Sequence, residues 1–375
     1  MNSRERVRMV LDHKEPDRVP LDLWGCASRL HTDLYLEICK HAGLEIRAED
    51  RIRKGSTTEY VDYRLSDMVG SDFRHIHVGK PDYFSKYEDE DGNIIDEWGV
   101  GRKIIGIHPS ITKHPLADAT IEDLENYNWP QARDLGRIRG IREQAKDWYE
   151  NTDFAITSTT AISGLFLETC QYLRGIEQFL MDLYINPEFA HKLIEKVTDI
   201  IIEMNVYYLE PVAEYIEWIE FTSDYGTQTS TFISPDIFRT FFKESHAKLA
   251  KAIKEVNPNV KVFLHSCGAV KGLIPDFIEA GVEVLNPIQP LATGMDSAEL
   301  KETFGDQIIF HGAVDIQVAM NGTLEMVEED VKKRMQSLMK DGGFICSPAN
   351  HLQHDCPVEN FFAMYEFGKK HGQYK

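Results

Sequence analysis

The sequence predicts an α/β protein built as a (β/α)8 TIM barrel, with an insertion and a hairpin in its N-terminal part. From about residue 150 onward, short apolar runs alternate with segments of helical periodicity, which indicates parallel strands joined by right-handed crossovers. Two runs nearer the N-terminus bring the predicted strands to eight. A doubly wound sheet is the second choice, because no Gly-x-Gly-x-x-Gly motif follows the first strand. We expect one domain over residues 1–375, with the insertions in residues 1–150.

The predicted strands are short runs rich in β-branched and aromatic residues and bounded by turn residues. In chain order they are residues 19–24, 73–77, 154–157, 216–221, 260–264, 282–285, 308–310 and 344–345. Between them, helical periodicity covers residues 238–256, 300–304 and 326–339. Capping residues or prolines mark helix starts at Asn186, Ser234 and Pro357. An Asp91-Gly92 turn beside the acidic run 88–91 predicts a solvent-exposed hairpin.

The charge of the chain excludes several classes of function. Lys and Arg number 41 against 61 Asp and Glu, which gives a formal net charge of −20. Such a chain repels phosphate backbones and anionic bilayers, so neither nucleic acid nor a membrane is expected as a partner. No run approaches the roughly 18 apolar residues of a membrane span, and residues 1–7 lack the apolar core of a signal peptide. We therefore expect a cytoplasmic protein whose six cysteines form no disulfide framework.

Polar side chains follow most of the predicted strands, at the end of the barrel where active sites of this architecture lie. The strongest signal is His265-Ser266-Cys267, because residues i and i+2 of a strand end project to one side. Zn²⁺ favours histidine nitrogen and cysteine sulfur, and three protein ligands leave the open position of a catalytic site. Cys346, at the end of the last predicted strand, is the natural third ligand. The alternative is that His265 hydrogen-bonds within the mouth and both cysteines only pack.

Acidic and amide residues at the same end of the barrel allow two interpretations. Asp224 ends a strand and fits equally well a loop acid that caps local N–H groups or a carboxylate that positions a substrate or ligand. Asp315 allows the same two interpretations. The loop before Pro357 is crowded with polar residues, namely His351, Gln353, His354 and Asp355. Other residues that follow or end strands are Trp24, Cys26, Tyr225, Gln289 and His311.

Short motifs along nearly the whole chain carry a resemblance to a known family. They are Asp17-Arg18-Val19-Pro20, Gly70-Ser71-Asp72-Phe73-Arg74, residues 223–228, Ile233-Ser234-Pro235, His265-Ser266-Cys267-Gly268, Ile274-Pro275-Asp276, residues 285–290, residues 311–317 and Pro357-Val358-Glu359-Asn360. In these motifs the chain resembles the uroporphyrinogen decarboxylase superfamily, and within it the cobalamin-dependent methyltransferases related to methylcobamide:coenzyme M methyltransferases. The resemblance implies a (β/α)8 barrel, in agreement with the strand count.

Two departures from the family refine the expected function. True decarboxylases carry an Arg-Gln-Ala-Gly-Arg-Tyr segment that clamps the porphyrinogen's propionates, and a Phe-Ser-Asp segment with the essential aspartate. Here residues 24–29 contain one arginine and the chain has no Phe-Ser-Asp, so decarboxylation of an octa-anionic tetrapyrrole is not expected. The third zinc cysteine of the methyltransferases aligns with Asn350, which leaves Cys346, His351 or no residue as third ligand.

The resemblance implies methyl transfer between a small molecule (a methoxylated compound, a thiol or a folate) and a corrinoid. The chain has no cobalamin-binding Asp-x-His-x-x-Gly motif, so a separate corrinoid protein would carry the methylcobalamin. We assign Zn²⁺ to His265, Cys267 and Cys346, catalysis to Asp224, His311 and Asp315, and substrate contacts to Trp24, Tyr225, Gln289 and Gln353. The alternatives are a metal-free decarboxylase of a smaller carboxylate and a non-enzymatic corrinoid-binding protein. A homodimer is compatible with all of them.

Overall fold

A computed structural model describes residues 1–25, 28–46, 61–105, 108–162 and 164–375. Cys26, which follows the first predicted strand, lies outside the described residues. Within the described part of the chain, no helix is both long and apolar enough to cross a membrane.

The predicted barrel is confirmed: seven strands form one curled, fully parallel sheet in which they lie side by side in chain order. Its strands are β1 (Phe73–Ile76), β6 (Ala155–Ser158), β7 (Trp218–Thr222), β8 (Lys261–His265), β9 (Val284–Asn286), β10 (Ile309–Val314) and β11 (Phe344–Pro348). Several strands extend further toward their C-terminal ends than the sequence predicted, and β11 is the clearest example.

Residues 19–23 lie between β11 and β1 and close the barrel in the position of an eighth strand. Leu21 forms a parallel bridge with Cys346, and the Asp72 N–H donates to the Leu21 carbonyl at 2.8 Å. The predicted strand over residues 19–24 is therefore reduced to isolated bridges. Pro20 contributes to this, because it has no N–H to donate to a neighbouring strand.

A second, antiparallel sheet has the order β2-β3-β4-β5 and forms the N-terminal insertion. Its strands are β2 (Tyr87–Glu88), β3 (Ile94–Ile95), β4 (Gly101–Ile105) and β5 (His108–Lys113). The predicted turn at Asp91-Gly92 joins β2 to β3, and Gly92 adopts a positive φ of 78° there.

Helices surround the barrel and connect its strands. They are α1 (Ser3–Leu11), α2 (Thr32–His41), α3 (Tyr63–Val69), α4 (Ile121–Asn126), α5 (Leu135–Ile138), α6 (Ile141–Asn151), α7 (Phe166–Arg174), α8 (Ile176–Ile185), α9 (Pro187–Leu209), α10 (Pro235–Phe241), α11 (Lys243–Val256), α12 (Ile274–Glu279), α13 (Ser297–Phe304), α14 (Leu324–Leu338) and α15 (Val358–His371). The Ser234 side chain caps α10 as predicted. The helix predicted over residues 238–256 is divided into α10 and α11 at Phe242.

Side chains alternate between the inside and the outside of the barrel along each strand. An apolar layer, with one residue from each of the seven strands, fills the N-terminal end and is sealed by Val7, Val10 and Leu11 of α1; its members are Phe73, Ala155, Trp218, Phe263, Val284, Ile309 and Ile345. Two residues further along each strand, the inner layer is entirely polar, and consists of His75, Thr157, Glu220, His265, Asn286, His311 and Ser347. The candidate site grows out of this polar layer.

Candidate metal centre

Three potential metal ligands converge at the C-terminal ends of two neighbouring strands. The ligand atoms of Asp224, His265 and Cys267 all lie within 4.8 Å of one another. His265 Nε2 is 3.2 Å from Cys267 Sγ and 3.6 Å from Asp224 Oδ1. The predicted pairing of His265 with Cys267 is therefore present, and a carboxylate completes the group.

The register of β7 and β8 explains why these residues meet. Thr222 pairs with His265, so the two loops that follow leave the sheet side by side. The Cys267 N–H donates to Asp224 Oδ1 at 2.9 Å, which fixes one carboxylate oxygen beside the sulfur. Gly226 and Gly268 let the loops approach this closely, since a Cβ on Gly226 would lie 2.5 Å from the Cys267 carbonyl oxygen.

Cys346, the expected third ligand, does not join this group. It lies inside β11, next to the inward-facing Ile345, and its side chain points outward into the core between the sheet and the helices. It is 1% exposed, and burial raises the pKa of its thiol to about 12. Its position on the strand therefore turns it away from the mouth, and Asp224 supplies the third donor.

The Asn350 side chain reaches the centre from the loop after β11. Its amide N–H donates to Cys267 Sγ at 3.1 Å, and its carbonyl oxygen accepts from the His351 N–H at 2.6 Å. The position that aligns with the family's third cysteine thus lies at the sulfur, although it carries an amide. The next residue, His351, accepts the Arg29 N–H on Nδ1 at 3.2 Å.

The donor set suits a divalent zinc ion. One nitrogen, one sulfur and one carboxylate oxygen are all zinc ligands, and three protein donors leave one tetrahedral position open. Burial, and then the Asp224 charge, raises the pKa of the Cys267 thiol well above its ordinary value, so the thiol keeps its proton in the metal-free chain. A bound cation reverses this preference, because a coordinated thiol loses its proton. The residues therefore fit the metal that the sequence motif predicts.

A hydrogen-bond chain continues from His265 into the polar inner layer. His265 Nδ1 lies 2.6 Å from Asn286 Oδ1, and Asn286 Nδ2 lies 2.7 Å from His311 Nδ1. His311 Nε2 then meets Asp22 Oδ2 at 2.9 Å, while Asp22 Oδ1 meets His75 Nε2 at 3.0 Å. All of these side chains are buried. His311, which we expected at the mouth, is a link of this internal chain.

The end of the hydrogen-bond chain that lies away from His265 is a cluster of buried charged side chains. Burial opposes the ionisation of His75, but the neighbouring Asp22 and Glu220 outweigh it and raise the pKa of His75 to about 9. Burial also opposes ionisation of Asp22, and the charge of His75 with the hydrogen bonds from both histidines lowers the pKa of Asp22 below its usual value. Trp218 Nε1 donates to Glu220 at 3.1 Å. His75 is therefore a cation held between two carboxylates.

Glu168 of α7 supports the metal centre from outside the barrel strands. It accepts the Asp224 N–H on one oxygen and the Ser223 hydroxyl on the other, the latter at 2.9 Å. Burial raises the pKa of Glu168 to about 7. No motif pointed to this residue, because it lies on a helix with nothing in its sequence surroundings to mark it.

The structure gives several other expected site residues structural contacts. Tyr225 is fully buried, and its hydroxyl shares a hydrogen bond of 2.9 Å with His246 Nε2. Burial lowers the pKa of His246 to about 3 and keeps the ring neutral. The Asp315 carboxylate accepts three backbone N–H groups of residues 317–319, as a loop-capping acid does. Gln353 is exposed and donates to the His351 carbonyl at 3.1 Å.

Trp24 and Gln289 lie near the centre without forming part of the ligand group. Trp24 is 4% exposed and packs edge-on against His77, with ring centroids 4.0 Å apart. Gln289 Oε1 accepts the Gly268 N–H at 2.7 Å, and its side chain lines a surface depression beside Asp315. Both residues border the mouth, where they remain candidate substrate contacts.

Comparisons with known proteins agree with the fold and the motifs. Residues 98–371 match the family model described as uroporphyrinogen decarboxylase (URO-D). The chain is 25% identical over 181 residues to the uroporphyrinogen decarboxylase of Aliarcobacter butzleri, which covers 48% of this chain and 47% of that protein. It is 23% identical over 197 residues to the chloroplastic uroporphyrinogen decarboxylase 2 of Arabidopsis thaliana, covering 50% and 44%. The matches thus span about half the length of these curated relatives or less.

A solved structure extends the comparison to the whole chain. A methyltransferase from Methanosarcina mazei superposes with a TM-score of 0.66 over 99% of both chains, at 17% identity. At this identity the likeness shows a common fold, which includes the N-terminal region outside the family match. Because the family model covers most of the sequence, this protein belongs to the uroporphyrinogen decarboxylase (URO-D) family.

Proposed function

We propose that this protein is a zinc-dependent methyltransferase that moves a methyl group between a small substrate and a corrinoid carried by a separate protein. The observation that carries this proposal is the convergence of Asp224, His265 and Cys267 at the open end of the barrel. A methoxylated compound, a thiol or a folate is the class of small substrate. The Methanosarcina methyltransferase, which shares the fold, supports the transferase assignment.

Each of the three donors is held in place by the chain itself. Asn286 orients His265, the Cys267 N–H orients Asp224, and Asn350 donates to the Cys267 sulfur. A Zn²⁺ ion bound here would act as a Lewis acid with one open position, able to lower the pKa of a substrate thiol or to polarise an ether oxygen. Glu168 fixes the Asp224 backbone and so keeps the carboxylate against the sulfur.

The half-exposed Asp224 side chain supports a centre that a docked corrinoid protein could reach at the mouth of the barrel. The Asp224 side chain is 52% exposed, whereas that of His265 is 9% exposed. The ligand set is therefore open on its carboxylate side and enclosed on its imidazole side. We infer that the small substrate and the corrinoid approach from the carboxylate side.

The proposal is tested by methyl transfer to and from a corrinoid protein. The full chain, loaded with Zn²⁺, is mixed with a methylated corrinoid protein and a panel of thiols, folates and phenolates, and the cobalt oxidation state is followed by absorbance. The reverse direction uses Co(I) corrinoid with methoxylated compounds. We expect transfer with at least one acceptor or donor, its loss in His265→Ala, and its retention in Cys346→Ala. A panel without transfer in either direction would contradict the proposal.

The curated relatives favour a second candidate, a metal-free decarboxylase, because they are named uroporphyrinogen decarboxylases. The two acidic residues near the mouth, Asp224 and the Glu168 that accepts its backbone N–H, disfavour a polyanionic substrate. Release of CO₂ from small carboxylates in the presence of a chelator separates the two candidates. Decarboxylation that survives both chelation and His265→Ala would favour the second.

A further inference from the structure

The chain of hydrogen bonds inside the barrel has a definite direction. We propose that Asp22 is a positioning residue that acts through His311 and Asn286 to hold the proton of His265 on Nδ1, and so leaves Nε2 free to bind a metal ion. This inference rests on the proposed metal centre and names a residue that never touches the ion. Asp22 lies 1% exposed in the lumen, two hydrogen-bonded residues away from His265.

The direction begins at Asp22 because an ionised carboxylate can only accept hydrogen bonds. The lowered pKa of Asp22 keeps it ionised beside the His75 cation. His311 must therefore donate from Nε2, and the Asn286 NH₂ group that faces Nδ1 leaves no room for a second ring proton there. Its Nδ1 consequently carries a lone pair, which must accept from the neighbour 2.7 Å away.

Asn286 fixes the donor and acceptor roles at His265, because its side-chain amide has one donating end and one accepting end. With its NH₂ group donating to His311, its carbonyl oxygen faces His265 Nδ1 at 2.6 Å and can only accept. His265 must then carry its proton on Nδ1. The bare nitrogen is Nε2, which is the atom 3.2 Å from the Cys267 sulfur.

The hydrogen-bond chain orients the histidine rings and does not conduct protons. An amide at its centre has no proton that it can pass on while keeping its own structure, so Asn286 interrupts any relay. The arrangement resembles the carboxylate–histidine–metal unit, in which the partner of the second nitrogen fixes the tautomer and is worth 10–100-fold in metal affinity. Here the carboxylate acts from three hydrogen bonds away.

Reversing the direction at Asp22 gives a specific test. In Asp22→Asn, the amide oxygen faces the His75 cation and the NH₂ group faces His311, so the His311 proton moves to Nδ1. Asn286 must then turn its oxygen to His311 and its NH₂ group to His265, which moves the His265 proton to Nε2. We expect roughly 10–100-fold weaker metal binding.

A second substitution should restore the direction. In Asp22→Asn combined with Asn286→Asp, the carboxylate at position 286 accepts from both histidines, so the His265 proton returns to Nδ1. The double variant has the same formal charge as the natural chain. We expect its metal affinity to recover, which a merely structural loss at Asp22 would not do.

Two measurements on the full chain report the outcome. Nitrogen-15 spectra of the histidine rings in the metal-free protein give the tautomer of His265, identified by its loss in His265→Ala. Titration with Co²⁺, followed by its visible absorption, gives the affinity. We expect the Nδ1–H form in the natural chain and double variant, and the Nε2–H form with weaker Co²⁺ binding in Asp22→Asn.

The inference is overturned if His265 keeps the same tautomer and Co²⁺ affinity in Asp22→Asn, or if the double variant shows no recovery. Should Asp22→Asn alone not fold, Asn286→Leu removes the acceptor of His265 Nδ1 while leaving Asp22 intact. Unchanged affinity in that variant also overturns the inference. A natural chain that shows the Nδ1–H form but binds no Co²⁺ refutes the proposed function and leaves the positioning role standing.

Discussion

At the scale of single residues, the position of Asn350 decides how the centre differs from a centre with two sulfurs. Its amide lies 3.1 Å from Cys267 Sγ, where a thiolate would complete a His-Cys-Cys set. Asp224 provides a harder oxygen donor in place of that thiolate. The summed charge of the three donors, with the thiol deprotonated, is the same as in the two-sulfur set. The set with one sulfur has a weaker preference for thiophilic metal ions.

Asn350→Cys should therefore strengthen zinc binding. A second sulfur beside Cys267 adds a ligand that Zn²⁺ prefers, and we expect the affinity to rise about tenfold or more, roughly 1.4 kcal/mol. Competition with a chromophoric chelator measures the change.

Cys346→Ala is the matched control for that substitution. Because Cys346 faces the outer core, its removal should leave zinc affinity unchanged and cost about 1 kcal/mol of stability. An affinity that falls in Cys346→Ala and stays constant in Asn350→Cys would contradict this placement of the two residues.

Tyr225 belongs to the core and not to the mouth. Its hydroxyl is hydrogen-bonded to the neutral, buried His246, so Tyr225→Phe leaves a buried ring nitrogen without its partner. We expect a loss of roughly 1–3 kcal/mol in the free energy of unfolding, with zinc affinity unchanged. Thermal unfolding and a zinc titration on the same sample check both parts; unchanged stability together with weaker substrate binding would restore the substrate-contact interpretation.

Sequence reasoning succeeded for residues whose geometry is local. His265 and Cys267 are two positions apart at one strand end, so their proximity follows from the backbone alone. The assignment of Cys346 as a metal ligand does not hold, because the last strand was predicted to stop at residue 345, which placed the cysteine in the loop. The strand runs on to Pro348, and alternation then turns Cys346 outward.

At the scale of elements, the loops after β7 and β8 form the centre by approaching backbone to backbone. Gly268 has a positive φ of 85°, and a Cβ there would lie 2.5 Å from the Gly226 carbonyl carbon and the Thr227 oxygen. Moving a flexible side chain would relieve neither of these close contacts, because both involve backbone atoms. The two glycines thus hold Asp224 against Cys267.

Gly268→Ala should disturb both the fold and the centre. We expect roughly 1–3 kcal/mol lower stability from the unfavourable φ and the clash, together with clearly weaker zinc binding. Gly272→Ala is the matched control in the same connection, because its Cβ would meet nothing within 4 Å. Thermal unfolding and zinc titration compare the two, and equal effects would contradict the role assigned to the loop contact.

The strand ends explain why the sequence assigned Asp224 to catalysis and not to the group of metal donors. Its two interpretations differ only in what lies opposite the loop, and that depends on the register of β7 against β8, with Thr222 beside His265. Register is a property of two strands far apart in sequence. Glu168 was missed for a related reason, since its helix packs beneath the loop without any sequence signature.

At the scale of the whole molecule, the barrel contains an apolar layer at its N-terminal end and a polar layer in its middle. The barrel itself was predictable because strands and helices alternate along the sequence. The polar layer was not, because it appears only when every strand end is placed correctly to within one residue. A shift by one would exchange His75 with the outward-facing Ile76.

The buried charges of this layer should make stability depend on pH. The pKa of His75 is raised from 6.5 to about 9, so its contribution is complete below about pH 6.5 and is lost as the pH rises through 9. The size of this contribution is about 3 kcal/mol. We expect the free energy of unfolding to fall between pH 6.5 and 9.5 in the natural chain and to be flatter in His75→Gln.

His41→Gln is the surface control for the pH experiment, since His41 is exposed at the end of α2. It should retain the pH dependence of the natural chain. A pH dependence that persists unchanged in His75→Gln would show that other groups are responsible.

The proposed zinc ion would be held by one sulfur, one imidazole and one carboxylate from two neighbouring loops. X-ray absorption at the zinc edge of the loaded full chain tests it most directly. We expect one ion per chain, with a single sulfur at about 2.3 Å and nitrogen or oxygen ligands at about 2.0–2.2 Å. Two sulfur ligands, or a bound ion without any sulfur, would contradict it.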